Sequence, residues 1–141
     1  MAWNESVSEA KFTPALRVLV ADDHRDTALT LGILLRSEGY DVRLAHNGKE
    51  ALSEAAQFHP NVALLDIEMP GRNGFEVADE LRRRGAASPV LIAVTSQTSS
   101  DDRQIAEISG FQHFLAKPYD PQALLLLLAS LSPENLITVV A

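Results

Sequence analysis

The sequence contains no cysteine, which excludes disulfide staples and thiolate metal sites and removes any reason to expect an oxidising compartment. A reducing cytoplasm is the default expectation. Long apolar runs are also missing. The longest lies around Ala123 to Ala129, far short of the roughly 20 residues that span a bilayer. The N-terminus has no basic flank leading into an apolar run, so neither a membrane span nor a signal peptide is expected. Basic residues are in deficit: 12 Lys and Arg against 19 Asp and Glu give a formal net charge of −7. That balance would repel a phosphate backbone, so no nucleic-acid partner is expected. The one basic cluster, Arg82-Arg83-Arg84, falls near the end of an expected helix, where cations suit the negative end of the helix dipole.

Apolar residues, in contrast, make up 46% of the 141-residue chain, enough for one core without staples. Residues 1–15 are polar and aperiodic and are read as a flexible N-terminal arm. The domain is expected over residues 16–131, with 132–141 as a C-terminal tail. Within it, short β-rich apolar runs alternate with helical segments. The runs are Leu16 to Ala21, Asp41 to Ala45, Asn61 to Leu65, Pro89 to Thr95 and Phe111 to Ala116.

The helices carry boundary signals. The first follows His24, places Ala28, Leu31 and Leu35 on one face, and stops at Gly39, a suitable C-terminal cap. The second has Asn47 as cap with Glu50 three residues on, and turns Ala51, Leu52 and Ala55 inward. Asn73 and Glu76 repeat the device for the third, which buries Val77, Ala78 and Leu81. The fourth begins at Ser99-Ser100 and is weakly apolar, with Ile105 and Ile108 as its expected anchors. Asp120 caps the fifth, with Pro121 in the first helical position. Strict alternation of strand and helix predicts an α/β fold with a parallel sheet covered on both faces.

Such sheets bind ligands beyond the carboxyl ends of their strands, and the polar residues collect there. The first strand ends in Asp22-Asp23, the third in Asp66 followed by Glu68, the fourth in Thr95-Ser96 and the fifth in Lys117-Pro118. Parallel strands would bring at least three carboxylates into one crevice, opposite a hydroxyl and an ammonium. Carboxylates so close need a raised pKa or a cation. A hard, oxygen-rich site with few protein ligands suits Mg2+, which keeps room for water and phosphate oxygens. A carboxylate can attack phosphorus and form an aspartyl phosphate. The metal and Lys117 would neutralise the transferring group, and the Thr95 hydroxyl would donate to one of its oxygens. Taken singly, Asp66 could cap a turn and Asp22-Asp23 could cap the first helix. His24, His46, His59 and His113 are scattered without ligand spacing and are read as structural or surface residues.

The motifs "VLVADDH", "LLDIEMPGRNG", "IAVTS" and "FLAKP", in this order and at these separations, resemble the receiver domains of bacterial response regulators and hybrid histidine kinases. The resemblance covers about residues 16–131. It implies a doubly wound (βα)5 flavodoxin-like fold with a five-stranded parallel sheet of order 2-1-3-4-5. By matching position it implies Asp66 as phosphoacceptor and Asp22 and Asp23 as the acidic pair for Mg2+, with Asp23 the direct ligand. Glu68 falls where the family offers a backbone carbonyl to the metal. Thr95 matches the switch hydroxyl, Lys117 the partner lysine and Phe114 the aromatic switch position. The Lys117-Pro118 bond resembles one that is cis in the family. Phe114 lacks the hydroxyl of a tyrosine, and Glu68 adds negative charge beside the phosphorylation site.

The resemblance further implies a signalling phosphoacceptor rather than an enzyme. Its partner would be a histidine kinase or histidine phosphotransfer protein, and phosphorylation would draw Thr95 and Phe114 inward. A haloacid-dehalogenase-type phosphatase would want a second aspartate two residues after the first, where this sequence has Glu68. A flavodoxin-type flavin or nucleotide binder would want a glycine-rich loop where Asp22-Asp23 stands. The five consecutive leucines Leu124 to Leu128 exceed the stripe a sheet-packed helix needs. Some of them must point outward, towards a second copy, a partner or the tail residues Leu136 to Val140. The face made of the fourth helix, fifth strand and fifth helix is a common dimer surface in the family. About ten residues after the fifth helix leave a stand-alone receiver or a piece of a larger protein as the expected settings.

Overall fold

The computed structural model describes residues 15–85, 88–96 and 100–131. Strands and helices alternate throughout: β1 (Arg17–Ala21), α1 (Arg25–Ser37), β2 (Asp41–Ala45), α2 (Gly48–Phe58), β3 (Val62–Asp66), α3 (Gly74–Arg82), β4 (Val90–Thr95), α4 (Ser100–Ile108), β5 (His113–Ala116) and α5 (Pro121–Ser130). The sheet is parallel in every pairing and runs β2-β1-β3-β4-β5, as expected. No helix among the described residues is long and apolar enough to cross a membrane.

Side chains alternate across each strand, and the alternation divides the core in two. Leu19, Ala21, Ala63, Leu65, Leu91 and Ala93 meet residues of α2, α3 and α4. Their neighbours Val18, Val20, Val62, Leu64, Ile92 and Val94 meet α1 and α5. All five residues of β3 are buried. That is the condition of a central strand covered on both sides, and it explains why its sequence reads as a continuous apolar run.

The helix starts follow their cap residues. The Asn47 side chain accepts from the Glu50 N–H at 2.8 Å. Asn73 and Glu76 form a reciprocal capping box, and Asp120 accepts from Gln122 ahead of Pro121. α1 differs: its cap is His24, with no side-chain cap bond, and the Asp22 carboxylate accepts the His24 N–H. Gly39, at φ +95°, terminates α1 in the left-handed conformation that glycine adopts without strain. The Lys117-Pro118 bond is cis.

Two sequence expectations need correction. Ile105 and Ile108 do not anchor α4; they are 47% and 75% exposed, and Ala106 is the buried residue. The reason is geometric: adjacent helical positions lie about 100° apart, so packing Ala106 on the sheet turns Ile105 outward. The fifth strand begins at His113, two residues later than expected, because Phe111 packs into the core from the preceding turn. In α5, Leu124 and Leu128 are fully buried while Leu126 is 71% exposed. Ser99, the N-terminal arm up to residue 14 and the tail 132–141 lie outside the described residues, and so does any contact of α5 with that tail.

Candidate functional site

Strand register builds the site. β1 and β3 pair Val20 with Leu64 and Ala21 with Leu65, so the next residues on the same side, Asp22 and Asp66, emerge side by side. β4 pairs Val94 with Asp66, which sets Thr95 one step beyond. The Thr95–Ala116 pairing leads β5 out to Lys117. Gly74 lets α3 start directly beneath: a Cβ there would stand 2.7 Å from the Asp66 carbonyl oxygen and 2.9 Å from Ile67 Cα.

Asp22, Asp66 and Thr95 are buried polar residues in an otherwise apolar core. Lys117 Nζ donates to Asp66 Oδ2 at 3.1 Å and lies 3.7 Å from Asp22 Oδ2. Asp66 Oδ1 accepts the Glu68 N–H at 3.0 Å, so Asp66 does cap its own turn while keeping its other oxygen on the lysine. Asp22 Oδ1 accepts the His24 N–H at 2.9 Å. The His24 ring reaches back over the pair, with Nδ1 3.3 Å from Asp22 Oδ1 and 3.2 Å from Asp23 Oδ1. Asp23 Oδ1 is shielded from solvent and has no hydrogen bond; it is near the imidazole but not aligned with it.

These contacts leave a charge imbalance. Burial pushes the Asp66 carboxyl above its ordinary value of 3.8, with Asp22 adding to the effect, against the Lys117 hydrogen bond and charge and the Glu68 N–H. For Lys117, burial pulls downward but its bond to Asp66 and the charges of Asp66, Asp22 and Glu68 outweigh it, so the ammonium is held above 10.5. Tyr119 is raised as well, by burial and then by Asp22. Asp22, Asp23, His24 and Asp66 each offer a donor atom, all within 4.8 Å of one another. The pocket is therefore short of positive charge and rich in oxygen donors, which fits a dication.

The switch positions expected from the sequence are also defined. Thr95 Oγ1 donates to Glu68 Oε1 at 2.6 Å, and Ser96 Oγ donates to the same oxygen at 3.2 Å. Phe114 is half-buried, with the Arg103 guanidinium over its ring at 5.0 Å. Phe114 and Arg103 share a cavity of about 90 Å³ with Ala106, Glu107 and Phe111, and Asp22, Asp23 and Asp66 are not part of its lining. A groove of about 840 Å³ opens beside them, lined by residues including Asp22, Thr27, Leu31, Lys117 and Tyr119.

All the expected residues except Phe114 meet at one end of the sheet. Two features escaped the sequence reading: the place of His24 among the carboxylates, and the use of the Glu68 side chain as acceptor for Thr95. The position of His24 directly after Asp22-Asp23 was the available signal for the first. Nothing in the sequence signalled the second.

Comparison with known proteins bears on the family and the fold. A family model described as the response regulator receiver domain matches residues 18–129. A 14.6 kDa uncharacterized protein of Leptolyngbya boryana is 40% identical over 110 residues, covering 77% of this chain and 83% of its own. The DNA-binding response regulator MtrA of Mycobacterium tuberculosis is 34% identical over 108 residues, covering 77% of this chain but 46% of its own. The chain thus spans about half the length of that relative. Among solved structures, the chemotaxis protein CheY4 of Vibrio cholerae superposes with a TM-score of 0.79 at 28% identity, covering 84% of this chain and 100% of its own. The family model spans well over half of the chain, and the chain belongs to the response regulator receiver domain family.

Proposed function

We propose that residues 16–131 form a phosphoacceptor receiver in which Asp66 takes a phosphoryl group from a phosphohistidine. The observation that carries this reading is the buried Asp66 carboxylate, held by Lys117 at 3.1 Å beside Asp22 and Asp23. An Asp66 carboxylate oxygen attacks phosphorus. The P–O bond forms as the P–N bond to the donor histidine breaks, and the departing imidazole takes up a proton. Lys117 balances charge on the phosphoryl oxygens. The Thr95 hydroxyl leaves Glu68 and donates to one of those oxygens, and Phe114 follows as the aromatic switch.

The donor set fits Mg2+: Asp23 with its orphaned Oδ1, Asp66 and the Glu68 backbone carbonyl would hold it, with Asp22 adjacent. The ion would supply charge neutralisation at phosphorus. The chain acts as a signalling module whose phosphoryl donor is a histidine kinase or histidine phosphotransfer protein, rather than as an enzyme with a turnover substrate. The apolar residues Ile105, Ile108 and Leu126, exposed on α4 and α5, support homodimerisation through the α4–β5–α5 face. Sedimentation that returns a monomer with and without phosphorylation refutes that part. With a net charge of −7, this segment makes no nucleic-acid contact of its own, and its expected setting is the cytoplasm.

The test is intact-mass analysis after incubation with acetyl phosphate. One adduct is expected that requires Mg2+, is labile to hydroxylamine and is absent in Asp66→Asn. An adduct that persists in Asp66→Asn, or no adduct with Mg2+ present, overturns the assignment.

A further inference from the structure

We infer that His24 is a nitrogen ligand of the acidic pocket, and that it tunes the pocket towards first-row transition dications such as Co2+ and Mn2+ over Mg2+. The inference rests on the metal-binding reading above and adds a donor to it.

Three observations carry it. First, the position of His24 is fixed by the pocket itself: its N–H is bound to Asp22 Oδ1, and its side chain contributes no cap to α1. The ring is therefore not engaged in starting the helix. Second, Nδ1 lies 3.2 Å from Asp23 Oδ1 and 3.3 Å from Asp22 Oδ1. Ligands about 2.1 Å from one octahedral ion stand about 3.0 Å apart when adjacent and about 4.2 Å apart when opposite. The 3.2 Å separation is close to the adjacent-ligand spacing, and all four donors fall within 4.8 Å of one another. Third, Asp23 Oδ1 is shielded from water and has no hydrogen bond in spite of the imbalance around it. A shielded carboxylate oxygen with an imidazole nitrogen beside it offers two adjacent positions of an octahedral shell.

The donor type then decides which ion gains. Mg2+ is hard, prefers oxygen and gives up water reluctantly, so an imidazole there replaces a water with little benefit. Affinity for nitrogen rises along the first-row series from Mn2+ through Co2+ and Ni2+, and these ions would gain most from Nδ1. With no cysteine in the chain, no thiolate competes with the imidazole for these ions. His46 also lies near the site, but its Nδ1 is 3.3 Å from the Asp22 backbone carbonyl, so the test must separate it from His24.

The experiment is calorimetric titration of the untagged full chain with MgCl2 and, separately, with CoCl2, comparing wild type, His24→Ala, His24→Asn and Asp23→Asn. His24→Asn keeps a good helix-cap residue while removing the imidazole, so a folding defect in the alanine variant does not decide the result. Both His24 variants should lose about tenfold or more in Co2+ affinity and change Mg2+ affinity by less than about twofold. The Co2+ absorption bands should shift at the same time. Asp23→Asn should weaken both ions, which separates this pocket from the other histidines. Equal losses for Co2+ and Mg2+ in the His24 variants, or no loss for either, overturn the inference and leave the Mg2+ reading intact. Failure of wild type to bind either ion overturns both.

Discussion

Replacing Lys117 with methionine removes the ammonium that stands 3.1 Å from Asp66 Oδ2 and 3.7 Å from Asp22 Oδ2. At an effective dielectric of about 20, charges this close attract by about 5 kcal/mol. Desolvation of both partners cancels much of that, yet breaking a buried pair from one side still costs about 3–5 kcal/mol, because a charge is left behind. The Lys117 side chain is 26% exposed, so water takes over part of its role, and the expected loss is about 2 kcal/mol. Asp66→Asn removes the stranded charge instead and should be neutral or stabilising. The double variant should therefore recover most of what Lys117→Met loses, giving a coupling of about 1.5 kcal/mol. Urea denaturation followed by far-UV circular dichroism at neutral pH measures each corner of the cycle, provided the slope m is unchanged. Additivity within about 0.5 kcal/mol refutes the electrostatic account.

The same account fixes a pH dependence. The native Asp66 carboxyl is raised above 3.8, chiefly by burial, so between that value and its native pKa the folded state holds more protons than the unfolded one. Stability contributed at this residue falls as pH rises through that window. The advantage of Asp66→Asn should accordingly shrink as the solution is acidified towards 3.8.

Two further substitutions probe the surroundings. Gly74→Ala places a Cβ against backbone at 2.7 and 2.9 Å; it should cost about 2 kcal/mol and slow phosphorylation by shifting the Asp66 carbonyl. Gly71→Ala, which meets open space at φ +75°, should cost about 1–2 kcal/mol through left-handed strain alone and leave the phosphorylation rate unchanged. Equal rate effects from the two would contradict the close-approach explanation. Glu68→Ala removes the carboxylate that accepts from Thr95 at 2.6 Å. Since a charge-assisted hydrogen bond contributes about 1.5–3 kcal/mol, beryllofluoride should bind about tenfold more tightly or better. Unchanged binding, followed by NMR titration, would show that Glu68 does not compete for the hydroxyl.

Much of this molecule was legible in its sequence because each level gave the same answer. Asn73 and Glu76 marked the start of a helix whose Val77, Ala78 and Leu81 are buried as their spacing required. The unbroken apolar run Val62 to Leu65 belonged to a strand covered on both faces. The parallel arrangement then converted a scatter of strand-end acids into one site. Periodicity failed where it had no way to distinguish the two sides of a helix: in α4 the isoleucines looked like anchors, and a single alanine took the sheet contact. It also could not give side-chain direction. Whether the His24 ring turns towards Asp23, or Glu68 towards Thr95, depends on rotamers and on the charge already collected in the pocket.

The bond from Lys117 to Asp66 joins residues 51 apart in the chain, and Asp22 lies a further 44 residues upstream of Asp66. A chain emerging from the ribosome would carry its carboxylates long before the lysine that balances them, and the ordered pocket would have to wait for β5. An unfinished chain would then be silent to a phosphoryl donor, because chemical competence and completed folding would arrive together. The same coupling would keep damaged or partly unfolded copies from carrying a signal without a separate surveillance step.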